Sequence, residues 1–195
     1  MVQVKICGLM RNEDALAVNQ AGADFAGFVF APSRHQINIE QALKLRRIIN
    51  PSIPTVGVFV NETVDQILKV YHSGAIKIAQ LHGKSNPAMI GLLQVAGLKV
   101  IQVFERKNID LTSRADYLMT DSGKGSGQTL TWREFPSSRT PLILAGGLNP
   151  SNVEEAIRIV KPDIVDVSSG VETDGKKDEH KIISFVDTVK KGVKL

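Results

Sequence analysis

Phe25-Ala26-Gly27-Phe28-Val29-Phe30 is apolar from end to end, and Thr55-Val56-Gly57-Val58-Phe59-Val60 nearly repeats the pattern. A strand with one wet face alternates polar and apolar residues, so a continuously apolar strand is covered on both faces. Parallel strands lying under helices achieve that cover. Outward from these two runs, further short apolar stretches at 2–7, 76–82, 99–104, 117–121, 142–145 and 164–167 read as strands. Between them, helical periodicity appears at 12–21, 39–49, 63–72, 87–95, 152–160 and 179–190. The stretches 108–114 and 132–135 allow only a weak or short helix. In 152–160, Val153, Ala156, Ile157 and Val160 form one apolar stripe. Acidic residues follow the expected helix starts, Glu13 and Asp14 after Asn12, and Glu154 and Glu155 after Asn149-Pro150-Ser151. The chain therefore alternates strand and helix eight times. Spread over 195 residues, that leaves about 24 per unit, with short loops and little room for a second domain. A single-domain α/β chain closed into a (β/α)8 TIM barrel over 1–195 fits best, at the small end for that fold. A doubly wound open sheet is the competitor, but it more often stops at five or six strands.

Composition narrows the function classes. With 43% hydrophobic and 23% charged residues, the chain has enough apolar material for one sizeable core. No apolar run approaches the roughly 18 residues of a membrane-spanning helix. Met1 to Cys7 lacks a basic segment followed by a long apolar one, so it does not read as a signal peptide. The one cysteine makes no internal disulfide, and a cytoplasmic, soluble protein is expected. The net charge of +4 suits a small anionic ligand. Arg46-Arg47, Lys176-Lys177 and Lys190-Lys191 are isolated pairs and aromatics are only 5%, which argues against nucleic acid as a partner. Four histidines and one cysteine show no metal-ligand spacing.

In a barrel of this kind the ligand lies at the carboxyl ends of the strands. That rule selects Cys7, the 30–37 loop, Asn61, His82, Glu105, Asp121, Gly146-Gly147 and Ser168-Ser169-Gly170. A cysteine within an apolar strand is commonly an inert core residue. Cys7, however, closes its strand just before Gly8, where a thiolate can act as base or nucleophile. Nearby positive charge is expected to lower its pKa. A nucleophilic Cys7–His82 pair is a possibility on the same rim, though no oxyanion arrangement is visible in the sequence. Asp121 precedes Ser122-Gly123-Lys124-Gly125-Ser126-Gly127-Gln128, a glycine-rich run resembling a mobile covering loop. That run is not a Walker sequence, and no GxGxxG signature occurs anywhere. Ala145-Gly146-Gly147-Leu148 and Val167-Ser168-Ser169-Gly170-Val171 end the last two strands in glycine turns. Those loops are the common phosphate position of this fold, and a short helix after the eighth strand would aim backbone N–H groups at the anion.

These residues carry a resemblance that runs nearly end to end. The chain resembles the phosphoribosylanthranilate isomerases of the tryptophan pathway. The matching stretches are Val4-Lys5-Ile6-Cys7-Gly8-Leu9, Gly27-Phe28-Val29-Phe30, Val56-Gly57-Val58-Phe59 and Gln80-Leu81-His82-Gly83. They continue through Asp121, Gly125-Ser126-Gly127 and Trp132 to Leu144-Ala145-Gly146-Gly147-Leu148 and Asp166-Val167-Ser168-Ser169-Gly170-Val171-Glu172. The resemblance implies an Amadori rearrangement of a small phosphosugar-anthranilate substrate, with Cys7 as general base and Asp121 as general acid. It also implies phosphate binding by Gly146, Gly147, Ser168, Ser169 and Gly170, and substrate binding by His82. Neither a metal nor an organic cofactor is implied, and a monomer or a homodimer is expected.

Two departures from the family pattern stand out. The family arginine that meets the anthranilate carboxylate follows a Ser-x-Arg pattern. Here the run Ser33-Arg34-His35 puts His35 in that place with Arg34 beside it. Arg34 is the better match, because a guanidinium binds a carboxylate with two hydrogen bonds and a neutral imidazole donates one. The run before Trp132 lacks the usual double glycine and Phe-Asp. Competing readings are another phosphosugar barrel enzyme, such as a pentose-phosphate epimerase or an indole-glycerol-phosphate synthase, and a non-catalytic barrel that binds a phosphometabolite.

Overall fold

The computed structural model describes residues 1–105, 108–121, 132 and 135–192. Eight strands, all paired in parallel, close into a barrel in chain order: β1 (Gln3–Cys7), β2 (Phe25–Val29), β3 (Thr55–Val60), β4 (Ile78–His82), β5 (Lys99–Glu105), β6 (Tyr117–Asp121), β7 (Leu142–Ala145) and β8 (Ile164–Val167). Closure is made by β1 against β8, with Lys5 directly opposite Asp166. The open sheet is thereby excluded.

Six helices cover the described barrel: α1 (Asn12–Ala21), α2 (Ile39–Ile48), α3 (Val64–His72), α4 (Pro87–Val95), α5 (Val153–Val160) and α6 (Glu179–Gly192). Their starts follow from local chemistry. Asn38 with Gln41 and Thr63 with Gln66 form reciprocal capping boxes, and Asn86 caps α4 ahead of Pro87. At α1 the work falls to Asp14 rather than Asn12, because its carboxylate accepts from the N–H groups of Met10 and Arg11. The expected stripe on α5 is buried.

The expected weak helix at 108–114 does not form. Those residues run in turns held by side chains, with Asp110 accepting from Thr112 and Ser113 donating to Gln102. Asp and Ser in this stretch satisfy backbone and neighbouring groups locally, which competes with helix. Of 132–135, Trp132 and Phe135 are described and neither is helical.

Strand alternation divides the core in two. One layer packs between the strands and the helices, including Ile6, Phe28, Phe59, Leu118 and Val165. The other fills the barrel itself with Phe25, Val56, Ile78, Ile101, Met119, Ile143 and Ile164. An unexpected hairpin follows β8. A single 3-10 turn, Ser169–Val171, leads into β9 (Glu172–Thr173), which pairs antiparallel with β10 (Lys176–Lys177). Asp174 and Gly175 turn it with φ of 52° and 75°, the left-handed pair such hairpins require. Among the described residues no helix is long and apolar enough to cross a membrane.

Candidate active site

Cys7 ends β1 on the barrel-facing side and is only 7% exposed. Its register partner on β2 is Gly27. A Cβ at that glycine would lie 2.9 Å from the thiol sulfur and 3.0 Å from the Cys7 Cα, so the thiol occupies space that only a glycine leaves. Two residues back on the same face, Lys5 is fully buried and its Nζ donates to Asp166 Oδ1 at 2.7 Å. Burial opposes the Lys5 charge, but Asp166 and Cys7 outweigh it and hold the ammonium above its ordinary value. Burial pushes the Asp166 carboxyl up, against the pull of Lys5. The Cys7 thiol is also raised by burial, further by Asp166, and Lys5 and Lys177 only partly counter this. The expectation of a lowered thiol is thus corrected. In the resting site, desolvation of the thiolate exceeds its attraction to the two lysines.

The hairpin completes this flank. Lys177 is buried, and its Nζ donates to Ser168 O at 3.0 Å, Ser168 Oγ at 3.1 Å and Glu172 Oε1 at 2.5 Å. Glu172 also accepts from Arg34 at 2.6 Å through Oε2 and pairs with His35 Nε2 at 2.8 Å through Oε1. Burial works against its charge, yet Lys177, His35 and Arg34 hold the carboxyl below the usual range. Of the two residues in the family arginine's region, Arg34 is the more exposed, at 57% against 14% for the His35 side chain. His35 lies over the end of β1, where a Cβ on Gly8 would meet its ring at 3.1 Å and Ser168 Oγ at the same distance. Burial and Lys177 keep the imidazole below its ordinary pKa.

Asp121 ends β6 half-buried, with β7 and β8 between it and β1 in the strand order. The glycine-rich run 122–131 that follows lies outside the described residues. The last two strand ends meet. Gly146 and Gly147 have φ of 92° and 67°, and a Cβ on Gly170 would lie 1.8 Å from the Leu148 carbonyl oxygen. The two glycine turns therefore press backbone against backbone, with Ser168 and Ser169 beside them. In place of an expected short helix there is only the one turn at Ser169–Val171.

His82 stands apart from this cluster. It is exposed at the end of β4, where its carbonyl accepts from Asn61 N–H, and it shares a shallow cleft with Asn61 and Lys84. The histidine that approaches the β1 end is His35, so a Cys7–His82 pair is not formed. The sequence alone gives Lys5, Asp166, Glu172 and Lys177 no role in the site. The available signals were a lysine and an aspartate on the inward parity of two apolar strands and the Asp174-Gly175 turn pair. Among the described residues no group of three or more His, Cys, Asp or Glu is placed to hold a metal.

With this geometry in view, the comparisons with known proteins agree. The family model for N-(5'-phosphoribosyl)anthranilate isomerase matches residues 4–188. An isomerase of that name from Lacticaseibacillus casei (strain BL23) is 65% identical over 193 residues, covering 99% of this chain and 97% of its own. The crystal structure of phosphoribosyl anthranilate isomerase from Thermotoga maritima superposes with a TM-score of 0.87 at 38% identity, covering 99% of this chain and all of that one. Monomers generated from that dimeric enzyme match with a TM-score of 0.83 at 35% identity, over 99% of this chain and 100% of theirs. Another isomerase structure, in complex with reduced 1-(o-carboxyphenylamino)-1-deoxyribulose 5-phosphate, matches with a TM-score of 0.83 at 36% identity, over 99% of this chain and 100% of that one. A barrel whose first strand ends in Cys7, whose sixth ends in Asp121 and whose last two end in abutting glycine turns is thus matched along its whole length, and the chain belongs to the N-(5'-phosphoribosyl)anthranilate isomerase family.

Proposed function

We propose that this protein isomerises N-(5'-phosphoribosyl)anthranilate to 1-(2-carboxyphenylamino)-1-deoxyribulose 5-phosphate, the Amadori step of tryptophan biosynthesis. The observation that carries the reading is the shared rim. A thiol and a carboxyl end β1 and β6, and glycine turns, Gly146-Gly147 and Ser169-Gly170, follow β7 and β8 between them. A phosphate held at Gly146, Gly147, Ser168, Ser169 and Gly170 anchors one end of the sugar. The reacting carbons then lie between Cys7 and Asp121, so position rather than new chemistry lowers the barrier.

Asp121, as general acid, gives its proton to the ring oxygen, and the aminoaldose opens to a Schiff base. Cys7, as general base, takes the C2 proton, and the iminium accepts the electron pair. The resulting enolamine tautomerises to the ketone. Because the iminium is its own electron sink, no metal or organic cofactor is needed. Arg34 holds the anthranilate carboxylate by exchanging Glu172 for the substrate, with His35 beside it, while His82 meets the substrate from the end of β4. The protein works in the cytoplasm as a monomer or homodimer.

The test is turnover of freshly made phosphoribosylanthranilate, followed by loss of its fluorescence. Loss at an enzymic rate is expected. Tight binding of the reduced product analogue without turnover would instead favour a non-catalytic phosphometabolite-binding barrel.

A further inference from the structure

Lys5 and Asp166 make an ion pair inside the barrel at 2.7 Å, 161 residues apart in sequence, and both are buried. A buried pair of this kind is not a general device for stability, since its desolvation offsets most of its attraction. Its placement points to another use. Lys5 is two residues before Cys7 on one face of β1, and β8 sets Asp166 directly opposite Lys5. Lys5 thus faces two groups that can each carry a negative charge, a carboxyl on β8 and a thiol on its own strand.

We infer that Lys5 and Asp166 are positioning residues that set the ionisation of Cys7, with one buried ammonium shared between two competing anions. When Asp166 holds the charge, Lys5 is satisfied and the thiol stays protonated. When Cys7 is the thiolate, Lys5 is its counter-ion, and Asp166 is the repelling neighbour. The inference rests on Cys7 as the base in the proposed reaction, but the charge coupling itself is a property of the free protein. Other charged groups face the thiol as well. Lys177 on β10 adds positive charge; Glu172 on β9 neutralises it; His35 lies above Gly8; and Asp121 acts on Asp166 from β6. None of these is changed by the substitutions below.

The coupling makes two predictions of opposite sign. Asp166→Asn removes the competing anion while keeping an acceptor for Lys5, so the thiol should titrate about one pH unit or more lower. Lys5→Met keeps the volume and removes the cation, so the thiol should titrate about one unit or more higher. Because Cys7 is the only cysteine, the thiolate's ultraviolet absorbance, with Cys7→Ser as blank, reads this group alone. The alkaline-going limb of turnover against pH should move with each titration. A pair with a purely structural role would leave both titration midpoints in place, and that result, or shifts in the same direction, overturns the inference. If Lys5→Met does not fold, the Asp166→Asn titration decides alone. Opposite thiol shifts with a turnover limb that stays fixed would uphold the coupling and remove Cys7 from the base role.

Discussion

The β8–β1–β2 side of the barrel and the β4–β5–β6 side are made of the same parallel strands, but they bury different chemistry. On the first, Lys5, Asp166, Lys177 and Glu172 are drawn inward and neutralise one another around Cys7. On the second, the buried inward positions are Ile78, Ile101, Val103 and Met119 with one polar residue, Gln80, and the ionisable His82, Glu105 and Asp121 stand only at the strand ends. Gln80 Oε1 is buried and has no hydrogen-bond partner among the described residues. The first side carries its charges deep in the barrel, whereas the second keeps its ionisable groups at the rim. An acid–base site needs both, fixed charge where protons move and a dry wall that stops water from screening it.

Replacing the thiol is the hardest blow to that division. Cys7→Ser should lower turnover by about a thousandfold, since a hydroxyl is a far poorer base near neutral pH, while affinity for the reduced product analogue stays within a few-fold. Steady-state assays with folding checked by circular dichroism measure it. Near-normal activity would mean that the charged side does not house the base.

A subtler displacement comes next. Gly27→Ala puts a methyl 2.9 Å from the sulfur and 3.0 Å from the Cys7 backbone, so β1 and β2 must separate. Turnover should fall about tenfold or more by misplacement, with a loss of about 1–3 kcal/mol in urea unfolding from overpacking. Unfolding that weakens with no change in turnover would show that the thiol has slack.

At the rim, Arg34→Ala should raise the Michaelis constant about tenfold, as expected for one charge-assisted contact, and His35→Ala only two- to threefold. Burial and Lys177 hold the imidazole below its ordinary pKa. Analogue affinity should therefore stay flat as pH rises through roughly 6 to 7, where a free histidine discharges. A larger loss for His35→Ala, following imidazole titration, would transfer the carboxylate contact to histidine.

The smallest effect concerns stability in acid. Glu172 is held below its ordinary range in the folded protein, so the unfolded chain takes up its proton more readily. Its contribution is present above roughly pH 4.5 and is lost as pH falls through the folded value. Glu172→Gln should therefore flatten the decline of the unfolding midpoint below about pH 4.5. An unaltered decline would show that the hairpin's ion cluster is not what acid breaks.

Much of this was legible in the residues. Continuous apolar strands such as Phe25–Val29 announce two covered faces, and the amphipathic stripe of α5 appears as it reads. The rim rule then places Cys7, Asp121 and the two glycine turns at strand ends without any coordinates. What escaped was decided by contacts between distant strands. Lys5 reads as an ordinary lysine until β8 closes the barrel and sets Asp166 against it. The Asp174-Gly175 pair is a local hairpin signal, but its consequence, carrying Lys177 beneath Ser168, is tertiary. His82 ends β4 as the rim rule reads, but which histidine lies next to the β1 end is tertiary: the loop between β2 and α2 sets His35 against Gly8.

Closure through β1 and β8 also governs when the site can exist. A chain synthesised only as far as β7 has two open parallel edges and an ammonium at Lys5 with no counter-charge. Each edge is a template for pairing with another chain until the last strand arrives. The ion pair that spans 161 residues is thus among the most non-local contacts in the molecule, and such contacts are slow to form because the intervening chain must first be ordered. Truncation before Ile164 leaves Cys7 and Asp121 in the chain but removes Asp166, the second glycine turn and the seam that holds the barrel shut.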